Sequence, residues 1–284
     1  MKSHIKYILA CLAFIFVLSC EETITIDPKA SQSKVVIEGL VLNAPGRSYV
    51  KLSRTRNFYD AGASPKITNG QVTVTTGTGE QVVFLHNPLA DEDLDGYYFP
   101  NLNFRGSIGE TYTLNVTVDG VDYSATEELL PVTSIDSLTV KADQDEMEDP
   151  EIPGRFWEVL FFAKEPQDRV DHYLFKFYRN DSILLDWPTD IYFSDDEILG
   201  ETIHDIEIAG YFSEGDRAKV EMMSLTREAY IYYFDLSNLL NNDGGMFSPP
   251  PANPRNNLTN GAFGYFQASA MDAMEITVVP PDEE

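Results

Sequence analysis

An all-β fold is predicted for this chain. It reads as two β-sandwich-like units of Ig-like or prealbumin-like size, the second with one packed α-helix and a long Pro/Asn-rich loop. Three observations predict this. Short runs such as "KVVIEGLVLN" and "QVTVTT" are rich in β-branched residues and alternate apolar with polar positions. Clusters of Gly, Pro, Asn and Asp punctuate those runs. One stretch, "TREAYIYYFDLSNLLNND", carries helical periodicity instead. With 284 residues and 43% hydrophobic composition the chain can bury a sizeable core, as one large or two modest domains.

Ordered structure is expected from "KVVIEGLVLN" onward, after a signal over 1–19 and a tether over 20–33. "YVKLSRTRNF" continues the alternation, and "YDAGASPKITNG" is rich in turn formers. Then come "QVTVTT", a Gly-Thr-Gly turn and "EQVVFLHN", with "YYFPNL" as a further strand. In "TYTLNVTVDGVDYSATEE", Tyr112, Leu114, Val116 and Val118 share one strand face. Asp119-Gly120 predicts a type I′ turn, whose two central positions both need positive φ. That turn sets Val116 opposite Tyr123 and Leu114 opposite Ala125, so the apolar faces coincide. These strands make the first unit, 34–131, which Pro131 closes.

The second unit, 132–284, starts a fresh strand near Ile135. "ADQDEMEDPEIPG" carries enough charge and proline to be read as a loop. Strands are expected at "FWEVLFFA", "DHYLFKFYR", "SILLDW", "ETIHDIEIAGYF" and "AKVEMMSL", with Asn180-Asp181 turning one hairpin. The helix, near 226–241, has Thr226 as N-cap and Glu228 in its first turn. Tyr230, Tyr233, Phe234 and Leu240 fall at helical spacing, as a face to bury against a sheet. Asn242 to Gly245 closes it. "MFSPPPANPRNNLTNG" is a surface loop whose prolines fix an extended path, and "AFGYFQASA" and "MEITVV" are the last two strands.

The start of the chain gives an address. Met1 to Lys6 is a short basic head, and Tyr7 to Leu18 is apolar without a break. This is the pattern of a secretory signal, and it falls short of the about 20 residues of a spanning helix. Leu18-Ser19-Cys20 resembles the lipobox of bacterial lipoproteins. Cleavage before Cys20 leaves its thiol to carry a diacylglycerol and its amine to be acylated with chains of the palmitate class. A thiol is required because the thiolate is the nucleophile that accepts the lipid. Two or more chains, at about 0.8 kcal/mol per buried methylene, make a stable anchor. Cys11 leaves with the signal, so the mature chain has neither free thiol nor disulfide.

Charge excludes some partners. The formal net charge is −26, and loss of Lys2 and Lys6 with the signal takes it to −28. Such a surface repels nucleic acid phosphates and anionic lipid headgroups, so the acyl chains at Cys20 must hold the membrane. Asp91, Asp93 and Asp95 of "DEDLDG" stand at alternate positions before Gly96, like the start of an EF-hand loop. Its twelfth position is Leu102 rather than a bidentate glutamate, so a solvated turn is expected, with calcium a weak candidate. No other metal and no cofactor are expected. His86, His172 and His204 stand far apart, and His204 and Asp205 point to opposite faces of a strand. There is no G-x-S-x-G elbow and no phosphate-cradling glycine loop. A glycosidase-like carboxylate pair has no selecting signal among 46 acidic residues. Trp157 and Trp187 are expected to pack the core, although Trp187-Pro188 lies at a strand end.

The order of several segments resembles a known family. A helix rich in Tyr and Phe, then "FSPPPANP" and "NNLTNGAFGYFQAS", is similar to the end of a Bacteroidota lipoprotein family catalogued as domain of unknown function 4249. "SCEETITID", "VVIEGLV", "YVKLSRT", "ITNGQVTV" and "GETYTLNVTVDGVDYSA" resemble its opening. The resemblance implies an outer-membrane lipoprotein, often encoded beside TonB-dependent transporters, with no established catalytic residue. Glu21 and Glu22 after the cysteine resemble in part a surface-export signal. The expected function is therefore non-enzymatic: an accessory or ligand-binding partner of a TonB-dependent receptor, taking a glycan or peptide ligand. The alternatives are a free-standing glycan-binding adhesin and, ranked lower, a carboxylate-dependent hydrolase. The loop from Met246 to Asn260 is the first candidate surface, or else a crossover that covers a sheet edge.

Overall fold

The structure is a computed structural model. It describes residues 33–56, 62–150, 152–164, 166, 168–195, 202–242, 244–245 and 250–280. The segment expected to be a signal, Cys20 and nearly all of the expected tether lie outside the described residues. The first strands are β1 (Val35–Leu42), β2 (Tyr49–Arg54), β3 (Gln71–Thr76), β4 (Gln81–His86), β5 (Tyr97–Phe99), β6 (Thr111–Val118) and β7 (Val121–Glu128). Next come β8 (Ile135–Ala142), a short helix α1 (Gln144–Glu148), β9 (Arg155–Lys164), β10 (His172–Arg179), β11 (Ser182–Leu184) and β12 (Tyr192–Asp195). The chain continues through β13 (Thr202–Glu207), β14 (Phe212–Ser213), β15 (Arg217–Leu225), the helix α2 (Arg227–Leu240), β16 (Phe263–Ser269) and β17 (Met271–Thr277). The protein is thus an all-β sandwich fold with one long helix. Among the described residues no helix is long and apolar enough to cross a membrane.

The first sandwich is one curled sheet in the order β16-β1-β2-β5-β4-β3-β6-β7. Alternation decides what it buries: Tyr112, Leu114, Val116 and Val118 point inward with Ile37, Val50, Leu52 and Phe84. The β6–β7 hairpin has the expected register, Leu114 opposite Ala125 and Val116 opposite Tyr123. Asp119 and Gly120 take φ of 51° and 78°, as a type I′ turn requires. The two end strands of the sheet approach each other, and the Pro/Asn loop fills the seam. The Asn257 side chain donates to the Phe266 carbonyl at 2.8 Å and accepts from its N–H at 3.1 Å, imitating a strand against β16. Thr259 exchanges two such bonds with Ser124 of β7. This part of the loop covers sheet edges, which would otherwise present unpaired backbone groups.

The second sandwich packs the sheet β11-β10-β15-β17, with β12 beside β10, on the sheet β13-β9-β14, with β8 beside β9. Phe161, Phe175, Phe177, Phe212, Val220 and Met222 form its core. Asn180 and Asp181 both have positive φ and turn β10 into β11 as expected. Four sequence expectations change here. The acidic stretch read as a loop holds α1, because the Asp143 carboxylate caps the N–H groups of Asp145 and Glu146. "SILLDW" pairs only over β11, and β12 was not foreseen. β13 is bulged between Ile203 and Ile206, with Asp205 at φ 52°, so His204 and Asp205 are both exposed instead of alternating. β16, placed by sequence in the second unit, runs parallel to β1 inside the first sheet. After Ala270 the chain passes directly into β17, antiparallel to β15 in the second sandwich. Ser33–Glu284 accordingly group as one compact unit.

Between the sandwiches lies a third apolar cluster of Leu40, Leu42, Leu174, Met223, Leu225, Ala229 and Tyr265. α2 rests on it. Ala229, Tyr232, Tyr233 and Leu236 lie three to four residues apart and face inward, whereas Phe234 and Leu240, expected in the buried face, are exposed. Thr226 is the N-cap, its hydroxyl accepting from Ala229 N at 3.2 Å. Thr226→Ala is expected to cost about 1 kcal/mol and to lower the melting temperature by about 2–4 °C. An unchanged thermal unfolding curve would show that the helix does not depend on this cap.

Candidate functional site

A cavity of about 450 Å³ lies under α2, where the two sandwiches meet. β1 and β16 supply one wall, since Val36, Glu38 and Leu40 alternate outward opposite the side of Ile37 and Val41. Tyr265 and Gln267 do the same from β16. Leu174 and Lys176 of β10 and Met223 of β15 supply the facing wall. Tyr232, Tyr233, Leu236 and Leu239 of α2 form the roof, and Asn253, Pro254 and Asn256 form the rim. Arg255 ties that rim to the roof, bonding Asp235 of α2 at 2.7 and 2.8 Å. Tyr233 donates to Gln267 at 2.6 Å, fixing the roof to β16.

The electrostatics of this cavity run against the chain's net charge of −26. Glu221, only 1% exposed, stands opposite Lys176 in the β10–β15 ladder. It accepts from Arg47 at 2.9 Å, from Lys219 at 2.9 Å and from Tyr178 at 3.1 Å. Burial alone would push its carboxyl up, but the bonds from Arg47 and Lys219 prevail and hold it down at about 2. Glu38 is paired with Lys51 at 3.0 Å. Among the described residues Lys176 has no carboxylate within ion-pair distance and donates no hydrogen bond. Burial depresses its ammonium below the usual lysine range; Glu221 opposes that and the Arg47 charge adds to it. Among the described residues Glu38 and Lys176 are the charged groups of the lining, and Glu38 is engaged by Lys51, which leaves the Lys176 ammonium facing the chamber. Burial raises the phenols of Tyr49 and Tyr232 to about 12 and that of Tyr233 further, so the aromatic lining stays neutral. An apolar chamber with one cation that is in no direct ion pair among the described residues is suited to hold a small molecule in a fixed orientation.

The residues nominated from sequence lie elsewhere, with one exception. Cys20 is outside the described residues. Asp91 caps the turn Glu92–Leu94 by accepting from Asp93 N at 3.0 Å, and Asp95 accepts from Asn87 at 3.1 Å. Asp91, Asp93 and Asp95 form a compact turn stapled by its own side chains, and no group of three metal-ligating residues is assembled among the described residues. His86 accepts from Gly96 N at 3.1 Å, His172 rests on Tyr230, and His204 meets the edge of Phe162. Trp157 packs on the second core, but Trp187 is 71% exposed, against expectation, because the turn it occupies lies outside both sheets. Trp187 shares a surface groove with Ile152, Arg155, Arg179 and Tyr211. The exception is the Met246–Asn260 loop. Its residues 246–249 are outside the described residues, while Asn253, Pro254 and Asn256 border the cavity. Lys176 and Glu221 were missed. The available signal was a charge inside an apolar strand pattern, in "YLFKFY" and "VEMM".

The fold and the chamber define a class: an all-β double sandwich whose helix roofs a small-molecule-sized cavity at the junction. None of the curated proteins compared with it matches the chain. The family described as Domain of unknown function (DUF4249) matches residues 21–274, and the chain belongs to that family.

Proposed function

We propose that this protein is a lipid-anchored outer-membrane lipoprotein that binds a ligand as a non-enzymatic accessory of a TonB-dependent transporter. One observation carries the ligand-binding role: the cavity of about 450 Å³ falls within the range of about 300–1,000 Å³ usual for small-molecule sites, at a junction between packed units where such sites concentrate. The address rests on Leu18-Ser19-Cys20. The non-enzymatic reading is supported by the buried carboxylates. Glu127 is held by Tyr265 and Asn257, Glu158 by Lys141, Asp171 by Arg169 and Tyr173, and Glu221 by Arg47 and Lys219. Each is engaged by a structural partner, and none of the four lines the chamber under α2, out of reach of a proton on a molecule held there.

Exposed Trp187 favours a second reading, a free-standing glycan binder, because an exposed indole can stack on a sugar ring. Native membranes separate the two. The tagged wild-type chain is expected in the outer-membrane fraction with a TonB-dependent receptor co-purifying. Cys20→Ser is expected to lose the acyl mass and to leave that fraction, since a surface of net charge −26 is repelled by anionic headgroups. Capture of polysaccharide without a channel, abolished by Trp187→Ala, would favour the adhesin. A native protein whose Cys20 thiol is unmodified by mass spectrometry would remove the anchor and the partnership with it.

A further inference from the structure

We propose that the chamber beneath α2 binds an amphiphilic monocarboxylate, an aliphatic acid whose carboxylate pairs with Lys176 and whose chain lies along the roof. This rests on the ligand-binding reading above and names its chemistry. Three observations lead there. The wall and roof are apolar over most of their surface, with Leu40, Leu174, Met223, Leu236, Leu239 and Phe263 available to an alkyl chain. Among the described residues Lys176 is the one lysine or arginine lining this chamber, and it is in no direct ion pair or hydrogen bond. The nearby carboxylates are already engaged, Glu38 by Lys51 and Glu221 by Arg47 and Lys219.

Lys176 is half-buried, and a ligand carboxylate would give its ammonium a direct ion-pair partner in a setting less screened than water. A single lysine in the lining, with the nearby Arg47 fork already clasped on Glu221, matches a monoanion better than a phosphate dianion, which a free arginine would hold through two bonds. The same arrangement disfavours a neutral glycan, because such a ligand would meet an aliphatic chamber and leave the ammonium unanswered. Selection is then a matter of charge at one end and length at the other. Leu239 and the Asn253–Pro254 rim stand at the loop end of the chamber, where a longer chain would emerge.

The experiment uses the full chain, purified from membranes and exchanged from detergent into an amphipol, titrated with carboxyl-labelled [1-13C]decanoate. Wild type is expected to give a saturable bound carboxyl resonance displaced from the free one, and to bind decanoate at least tenfold more tightly than decanol or decyl phosphate. Lys176→Met, which keeps the stem volume and removes the charge, is expected to erase the preference over decanol. Lys176→Arg is expected to retain it, and matching circular dichroism and melting curves establish that both variants are folded. Equal affinity for decanoate and decanol in wild type, tighter binding of decyl phosphate, or decanoate binding unaffected in Lys176→Met would overturn the proposal. Failure here together with a receptor still co-purifying would discard the ligand class and leave the transporter partnership standing. Loss of the receptor with decanoate binding intact would do the reverse.

Discussion

Gly264→Ala is expected to destabilise the protein by about 3–5 kcal/mol, among the larger effects a single methyl can have. Gly264 opposes Ile37 in the parallel β1–β16 pair and takes φ of 97°. A Cβ built there would overlap the Ile37 carbonyl oxygen and lie 2.8 Å from its carbon. Backbone cannot swing aside as a side chain can, so the two strands would have to part. The positive φ adds strain of its own for any L-residue. Gly39→Ala is the control. Its Cβ would meet the Phe266 ring at 2.7 Å, an obstacle that can shift, so a smaller loss is expected. Urea unfolding of both variants provides the comparison. A Gly264→Ala protein as stable as wild type would mean that β1 and β16 are not paired in this register. Because β16 forms one wall of the chamber, the same variant is also expected to disturb the site.

Glu221→Gln is expected to cost about 3 kcal/mol at neutral pH. Its carboxylate is 1% exposed and receives Arg47, Lys219 and Tyr178. Arg47 comes from the β1–β2 connection of the first sandwich and Glu221 from β15 of the second, so the bond ties the two together. An amide in its place keeps one acceptor oxygen but loses the charge and turns an N–H donor towards groups that themselves donate, and removing one member of a buried pair typically costs about 3–5 kcal/mol. The lower end applies because the Arg47 side chain is 43% exposed and regains water. The pH dependence follows from a folded-state value depressed from 4.5 to about 2. The stabilisation is complete above the unfolded value and fades as pH falls towards the folded one. The gap between wild type and Glu221→Gln should therefore be widest at pH 7 and less than half as large at pH 3. Urea midpoints at the two pH values test this, and a gap that widened in acid would contradict the assignment.

Much of the fold was legible because it is local. Asp119-Gly120 specifies a turn, the turn specifies a register, and Leu114 opposite Ala125 follows from period two alone. Thr226 marks the helix start for the same reason, since a cap needs only its own first turn. The misses share a different cause. Phe234 and Leu240 lie on α2 at helical spacing, yet the buried face was set by where Leu40 and Tyr265 stand. α1 depends on one capping carboxylate within an otherwise loop-like composition. The candidate site was the least legible, because Lys176, Glu38, Tyr233 and Asn256 come from four separate segments.

The amino-acid sequence by itself determined the strand periodicity, the hairpin turns, the capped helix and the cysteine at the end of an apolar run, all of which depend on neighbours along the chain. Tertiary structure alone decided that β16 joins the first sheet while β17 joins the second, and that a lysine in one strand is left facing a chamber beneath a helix. The physical reason is that strand alternation says which side a residue takes, but not which surface lies opposite. That is set by long-range pairing and by the desolvation of charges brought together from distant parts of the chain.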